Sequence, residues 1–550
     1  MSASSPRDVS HLGDFATTRR VLAIAALALP IGALSAGVAW CLLRLIGLIT
    51  NLVFYQRFGT ALVAPGEGHH SPLLILLAPV CGGLVIGLMA RFGSEKIRGH
   101  GIPEAIESIL ISGSKVQPRV ALLKPLASAV AIGTGGPFGA EGPIIMTGGA
   151  LGSIWAQFLH LTADERKTLL VAGAAAGMAA TFNAPLASVL LAVELLLFEW
   201  RPRSFIPVVA AVAVATVVRV PMLGSGAIFP APPGALHLDA AAYGLCVASG
   251  VVAGLLALLA TTLVYLSEDT FQRLPVHWMW WPAIGGVIVG IGGLIVPQAL
   301  GVGYNVIESE LNGTITLDLI VGILVVKTLI WSLSLGSGTS GGVLAPMLMI
   351  GGALGGLEAA VFPHVGVGFW PLVGLAGVLG GVMRSPLTGV VFALELTHRY
   401  EALLPLMIGA TVAYAVSILV LRRSVLTEKI ARRGLHLTRE YSVDPLEVLF
   451  VGDVMDTAER WPDDAVEVAV VAYADDTLRH VAYSMAEHGV TRMPVVKRGE
   501  RNRAVGTISL EQLLQGRLRD LHEERHSERV LRPRDLIGIR REGLAEESAG

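Results

Sequence analysis

The chain has 550 residues, 53% of them hydrophobic and only 15% charged, with a mean hydropathy of +0.64. Soluble chains carry about 25% charged residues; a chain this long and this apolar cannot cover itself in water, which excludes a wholly soluble protein. The net charge of −2 leaves no basic footprint for nucleic acid, and Cys41, Cys81 and Cys246 sit in apolar runs without metal-ligand spacing.

The average conceals two compositions. Residues 441–550 hold 36 of the 84 charged residues, about a third of that stretch, whereas only about 11% of the first 440 residues are charged. This divides the chain into a cytoplasmic N-terminal segment (1–20), a membrane domain (21–435), a linker (436–449), a small soluble domain (450–515) and a charged tail (516–550). Glycine is also in excess, at 64 of 550 residues against about 7% in average usage. Glycine lets membrane helices approach closely and frees backbone amides to face a ligand.

Apolar runs predict helices near 21–50, 73–92, 120–131, 142–158, 166–180, 186–200, 204–220, 240–265, 281–297, 317–335, 343–360, 369–382, 387–397 and 402–421. Several are shorter than the roughly 20 residues a full span needs, the mark of discontinuous helices in a transporter. Arg19 and Arg20 before the first span, and Arg422, Arg423, Arg432 and Arg433 after the last, place both termini on the cytoplasmic side.

Two segment pairs repeat at an offset of about 200 residues. Gly142-Pro-Ile-Ile-Met-Thr-Gly-Gly-Ala-Leu-Gly152 matches Ala345-Pro-Met-Leu-Met-Ile-Gly-Gly-Ala-Leu-Gly355. Asn183-Ala-Pro-Leu-Ala187 through Leu195 matches Arg384-Ser-Pro-Leu-Thr388 through Leu396. Paired halves, about 73–220 and 240–421, put a substrate at their interface. Each half has a Gly-rich turn, Gly133–Pro143 and Gly336–Pro346, leading into a short apolar helix. Helix N-termini offer unpaired N–H groups and a partial positive charge, so an anion can be held without a fixed cation. Gly99-His-Gly-Ile-Pro103 opens a third such helix. No nucleophile–base pair or metal cluster is visible, so no catalytic residue, metal or enzyme activity is expected.

The order and spacing of Gly99–Pro103, Gly139–Pro143 and Gly341–Pro346, with Asn183-Ala-Pro-Leu-Ala187, resemble the CLC family of chloride channels and chloride–proton antiporters over about 20–435. The resemblance implies an all-α polytopic membrane fold of two inverted-topology repeats with tilted and discontinuous helices. It also implies a homodimer with one pore per subunit, in the plasma (inner) membrane, and Cl⁻ held between helix N-termini near mid-membrane. Glu141 then stands at the external gating glutamate. His100, Gly101, Ile102, Gly139, Ala140, Gly142, Val343, Leu344 and Leu426 stand at anion-binding positions, and Lys124 at a buried lysine that shapes the pathway's electrostatics.

An ionised Glu141 is a tethered anion that competes with Cl⁻ for the same donors, and protonation releases it; an intramembrane acid is functional by default. Three departures from the family pattern matter. His100 replaces the pore serine and makes conduction pH-sensitive if it titrates. Leu426 replaces the pore tyrosine and cannot donate a hydrogen bond. Leu195 replaces the internal proton-transfer glutamate; Glu194 beside it and its repeat mate Glu395 read as structural acids. These features favour a gated chloride channel over a chloride–proton antiporter, with water or Glu199 left as another proton route. A membrane-anchored sensor with a degenerate pore is the third reading. Nitrate and fluoride remain alternatives to chloride as the anion.

Val451-Gly-Asp-Val-Met455, the run Asp475–Met485, Gly489–Val496 and Val505–Leu514 predict strand, amphipathic helix, strand, strand and helix. This resembles a single CBS domain, a module whose pairs can bind adenine nucleotides. Gln512 stands at the ribose-binding Asp position, so a structural or dimerising role is expected and no cofactor. The stretch beyond 517 is rich in Arg and Glu and is expected to be helical, then disordered.

Overall fold

The computed structural model of the chain describes residues 18–110, 113–232, 234–433, 444–457, 461, 470–498 and 500–525. Most of the expected N-terminal segment, part of the linker and the tail beyond 525 lie outside the described residues. The chain divides into two compact units, Thr17–Glu440 and a second that includes Tyr441–Gly550.

In the larger unit every predicted apolar run is helical. The first half comprises α1 (Arg20–Tyr55), α2 (Pro72–Phe92), α3 (Ile102–Leu110), α4 (Pro118–Gly133), α5 (Glu141–Gln157), α6 (Ala163–Phe182), α7 (Pro185–Leu191) and α8 (Pro202–Leu223). The second comprises α9 (Ala240–Gln272), α10 (Trp281–Ile295), α11 (Tyr304–Leu311), α12 (Leu317–Gly322), α13 (Thr328–Gly336), α14 (Leu344–Ala359), α15 (Phe369–Met383), α16 (Pro386–Thr397) and α17 (Leu403–Val420); α18 (Thr427–Arg432) follows. Proline at the first turn starts α2, α4, α7, α8, α10 and α16, where its missing N–H costs nothing. Among the described residues seven helices are long and apolar enough to cross a bilayer.

Two predicted helices are interrupted. The run 186–200 is α7 followed by a π-helical segment, Ala192–Leu197, ended by Phe198 at φ +53°. The run 317–335 is α12 and α13 separated by the π-helical Ile323–Lys327. One helix was not expected: α11 carries Asn305, Glu308 and Glu310 and so lacks the apolar run that marks the others.

The halves pack alike. Helix α1 lies on α6 and α8 as α9 lies on α15 and α17, and α5 lies on α6 as α14 on α15. The first half therefore starts at α1, earlier than the expected residue 73. Glycine permits the tightest crossings. A Cβ on Gly148 would stand 2.3 Å from the Gly173 carbonyl oxygen; one on Gly351 would stand 2.6 Å from that of Gly374. These are the same contact in the two halves.

The smaller unit contains α19 (Pro445–Val448), α20 (Val451–Val454), β1 (Ala472–Tyr473), α21 (Leu478–His488), β2 (Arg492–Lys497), β3 (Glu500–Ser509) and α22 (Leu510–Arg525). Strand β2 pairs parallel with β1 and antiparallel with β3, over a core of Val451, Leu478, Val481, Met493, Val495 and Ile508. The expected strand at Val451–Met455 is instead helical (α20), and the first strand is the short β1 at Ala472–Tyr473; the helix, strand, strand and helix that follow match the expectation. The expected boundary at 515–516 falls inside α22, which continues to Arg525.

Candidate functional site

The Gly-rich turns before α5 and α14 meet. Gly139 and Gly342 form an antiparallel bridge in which the Gly342 amide donates to the Gly139 carbonyl at 2.8 Å. Repeat mates that pair with each other define a local twofold relation. The bridge brings Glu141, the first residue of α5, to the N-terminus of α14. Its carboxylate is fully buried, and Oε1 accepts a hydrogen bond from the Ala345 amide at 3.0 Å. The first-turn amides of α14 lack intrahelical partners, so the acid occupies an anion-binding position. There is no room for a side chain here: a Cβ on Gly139 would stand 1.8 Å from Glu141 Oε2, and one on Gly342 would stand 2.6 Å from its Cδ. Glu141 Oε2 has no hydrogen-bond partner among the described residues.

The third turn closes on the same point. A Cβ on Gly142 would stand 2.0 Å from the His100 carbonyl oxygen, and Gly101, at φ +90°, faces the Gly142 carbonyl. The buried Lys124 fixes this turn. Its Nζ donates to the carbonyls of Ile97 (2.8 Å) and Gly99 (2.5 Å). His100, Gly101, Ile102, Gly139, Ala140, Glu141, Gly142, Val343 and Leu344 are all buried and drawn to one junction of helix starts. His100 lines a cavity of about 580 Å³, together with Arg98, Glu104, Lys429 and Arg433, and its Nδ1 has no partner among the described residues. Leu426 is buried at the start of α18, which packs on α3; Lys429, one turn later, pairs with Glu104 at 2.6 Å.

Leu195 is buried in the π-helical segment and offers no titratable group. Its neighbour Glu194 accepts from the Thr388 amide (3.0 Å) and hydroxyl (2.6 Å) at the start of α16. Glu395 of α16 accepts from the Leu186 and Ala187 amides (2.9 and 2.8 Å) at the start of α7. Each half thus caps a helix of the other. Glu199 is tied to Ser204 and lies beside Arg201 and Arg203.

A third repeat pair was not read from the sequence. Gly301-Val-Gly-Tyr304 mirrors Gly99-His-Gly-Ile102, and Lys327 mirrors Lys124: its Nζ donates to the carbonyls of Ala299 (2.9 Å) and Gly301 (2.7 Å). The available signal was a Gly-x-Gly followed 23 or 24 residues later by a lysine inside an apolar run. This second turn, with Tyr304, lines its own cavity of about 150 Å³. In the smaller unit the Gln512 side chain accepts from the Ser509 amide at 2.6 Å, capping α22.

A profile of the family described as "Voltage gated chloride channel" matches residues 82–418, and one of the CBS domain matches 451–518. The chain is 34% identical over 370 residues to the protein named H(+)/Cl(-) exchange transporter ClcA of Salmonella arizonae, covering 62% of this chain and 75% of that one. It is 32% identical over 379 residues to the voltage-gated ClC-type chloride channel ClcB of Salmonella typhimurium, covering 66% and 89%. Two solved structures share the fold. A slow cyanobacterial Cl-/H+ antiporter gives a TM-score of 0.64 at 22% identity, covering 76% of this chain and 98% of that one. A CLC-type fluoride/proton antiporter gives 0.63 at 19%, covering 73% and 97%. With three helix starts joined at a buried acid, two matching halves and a CBS domain later in the sequence, the chain belongs to the CLC family of voltage gated chloride channels and is a multi-pass integral membrane protein.

Proposed function

We propose that this chain carries chloride across a bilayer, with Glu141 as the gate. One observation carries the reading: the buried Glu141 carboxylate sits on the Ala345 amide at the N-terminus of a 16-residue helix. A chloride at that amide and an ionised Glu141 exclude each other, because both are anions seeking the same donors and the same partial charge. A proton on Glu141 cancels its charge, frees the helix end and admits chloride.

Passive, channel-like movement is the first reading, because Leu195 cannot carry a proton and Glu194 is engaged in capping α16. Exchange for protons is the second. It is favoured by the similarity to a relative named an exchange transporter and by two further ionisable groups, Lys327 and Glu310, buried in the second half. The relative named a channel is about equally similar. We further propose a homodimer with one pathway per subunit and both termini cytoplasmic. Support for this orientation comes from Arg19 and Arg20 before α1 and Arg422, Arg423, Arg432 and Arg433 after α17, by the positive-inside rule. The CBS domain is read as a structural or dimerising module that holds no nucleotide, since Gln512 is used as a cap.

Purified protein in liposomes with a chloride gradient, with chloride and internal pH recorded together, tests this. Chloride flux that leaves pH unchanged supports the channel; chloride-driven uphill proton movement establishes exchange. No chloride flux at any pH refutes both.

A further inference from the structure

One face of α14 runs past three buried ionisable groups. At its first turn the Ala345 amide meets Glu141. Four residues on, Met349 Sδ and Cε lie against Gly303; after them Lys327 Nζ is the nearest atom that a Cβ at Gly303 would meet, at 3.8 Å. Three residues further, Gly352 leaves room for Glu310, whose Oε2 would stand 2.1 Å from a Cβ at that position. Positions 345, 349 and 352 share a helix face, and seven residues rise about 10 Å. Glu141, Lys327 and Glu310 therefore form a row with the ammonium between the two acids, and Lys327 lies within electrostatic reach of both. All three are essentially unexposed: 0%, 0% and 1%.

Polar atoms are left over along this row. Neither oxygen of Glu310, nor Glu141 Oε2, nor the Tyr304 hydroxyl has a hydrogen-bond partner among the described residues. Tyr304 is within electrostatic reach of Glu141 and borders the 150 Å³ cavity, which also contains Glu67. Among the described residues no other charged group faces Glu310. Helix α15 has none, Glu358 of α14 is hydrogen-bonded to Ser249 of α9 at 2.6 Å, and Glu308 is exposed.

One cation between two acids has a defined charge rule. A buried charge is tolerated only when it is paired, so one negative charge opposite Lys327 is favourable and two are not. We propose that Glu310 is a proton store for Glu141, the two acids sharing one proton across the Lys327 ammonium. With Glu141 ionised on the Ala345 amide, Glu310 holds the proton. When that proton leaves the Glu310 carboxyl and arrives on Glu141, Glu310 becomes the carboxylate opposite Lys327. Net charge is conserved and Glu141 is released. A chloride that then takes the helix end supplies the anion, and Glu310 is reprotonated from the cavity at Tyr304.

This rests on the gating of chloride transport by Glu141, and the test separates the two. Glu310→Gln removes the store and leaves Lys327 balanced by Glu141 alone, which becomes harder to protonate. The pH of half-maximal chloride flux should move to the acid side by about one to three units, the usual effect of a changed neighbouring charge. Lys327→Met should move it the opposite way. A midpoint that stays put in E310Q, while the unaltered protein still transports, overturns the store and leaves the gate intact. Infrared spectroscopy of the intact protein needs no transport and covers a K327M variant that fails to fold. In chloride-free protein at neutral pH, the buried carboxylic-acid absorption should be weaker in E310Q than in the unaltered protein by one carboxyl group; equal absorption in the two overturns the store.

Discussion

Replacing Glu141 by alanine removes the tethered competitor from the anion site, and the structure sets the size of the effect. The carboxylate makes one charge-assisted hydrogen bond, from the Ala345 amide at 3.0 Å, in a site closed to solvent. A hydrogen bond to a charged group contributes about 1.5–3 kcal/mol. If that holds the docked state against the free one, the site is open in about one molecule in ten to one in a hundred and fifty. Apparent chloride affinity is lowered by the same factor. Calorimetric titration of detergent-solubilised protein with chloride, at neutral pH, should therefore show E141A binding about 10–150-fold more tightly than the unaltered chain. The sign with pH follows. Acid protonates Glu141 and frees the helix end, so the affinity of the unaltered chain rises as pH falls, while that of E141A is flat. Equal affinity in the two proteins, or a retained pH slope in E141A, would refute competition at the α14 N-terminus.

Other substitutions test the surrounding parts. His100→Ser places a freely rotating hydroxyl where an imidazole nitrogen now lacks a partner; one added hydrogen bond to an anion, about 1.5–3 kcal/mol, should tighten chloride binding about 10–150-fold, and unchanged affinity would remove His100 from the pathway. Glu395→Ala strips the cap from two amides of α7. Losing a cap costs about 1–2 kcal/mol, so thermal unfolding in detergent should come earlier; an unshifted transition would show that the reciprocal caps contribute nothing. Titration of the full chain with ATP or AMP should give no saturable heat, and saturable binding would overturn the structural reading of the CBS domain.

Much of this site is legible in the sequence because its chemistry sits in the backbone. Glycine and proline are the residues that a backbone-built site requires, and Gly139, Gly142, Gly341 and Pro346 mark it by identity and spacing alone. Glu141 stands out because charge is rare in its surroundings. Side-chain functions spread over long separations are not legible in that way. Glu395 reads as one more helix acid until its carboxylate is found on Leu186, 209 residues earlier in the chain. Helix α11 escapes notice because Asn305, Glu308 and Glu310 erase the apolar run by which most other membrane helices are recognised, although Glu310 is itself buried. The apolar pattern records which side chains avoid water; it is silent about a polar one buried among them.

The two lysines refine the idea that an amide-built anion path needs no cation. Lys124 and Lys327 are both fully buried, yet each donates to two backbone carbonyls at the edge of a Gly-x-Gly turn: Ile97 and Gly99 for one, Ala299 and Gly301 for the other. Those bonds turn the carbonyl oxygens toward the ammonium. An anion passing the turn therefore meets fewer carbonyl lone pairs, and it feels a positive charge one layer behind the amides. A lysine in direct contact with chloride would form a buried ion pair, which is costly to break. Set behind the turn, the same charge lowers the barrier for an anion without giving it a partner to leave. The arrangement occurs once in each half, but the turns open on unlike cavities, one bordered by several basic side chains and the other by Glu67; on the proposed reading an anion meets a different field on each side, and the junction at Glu141 between them is where it is stopped.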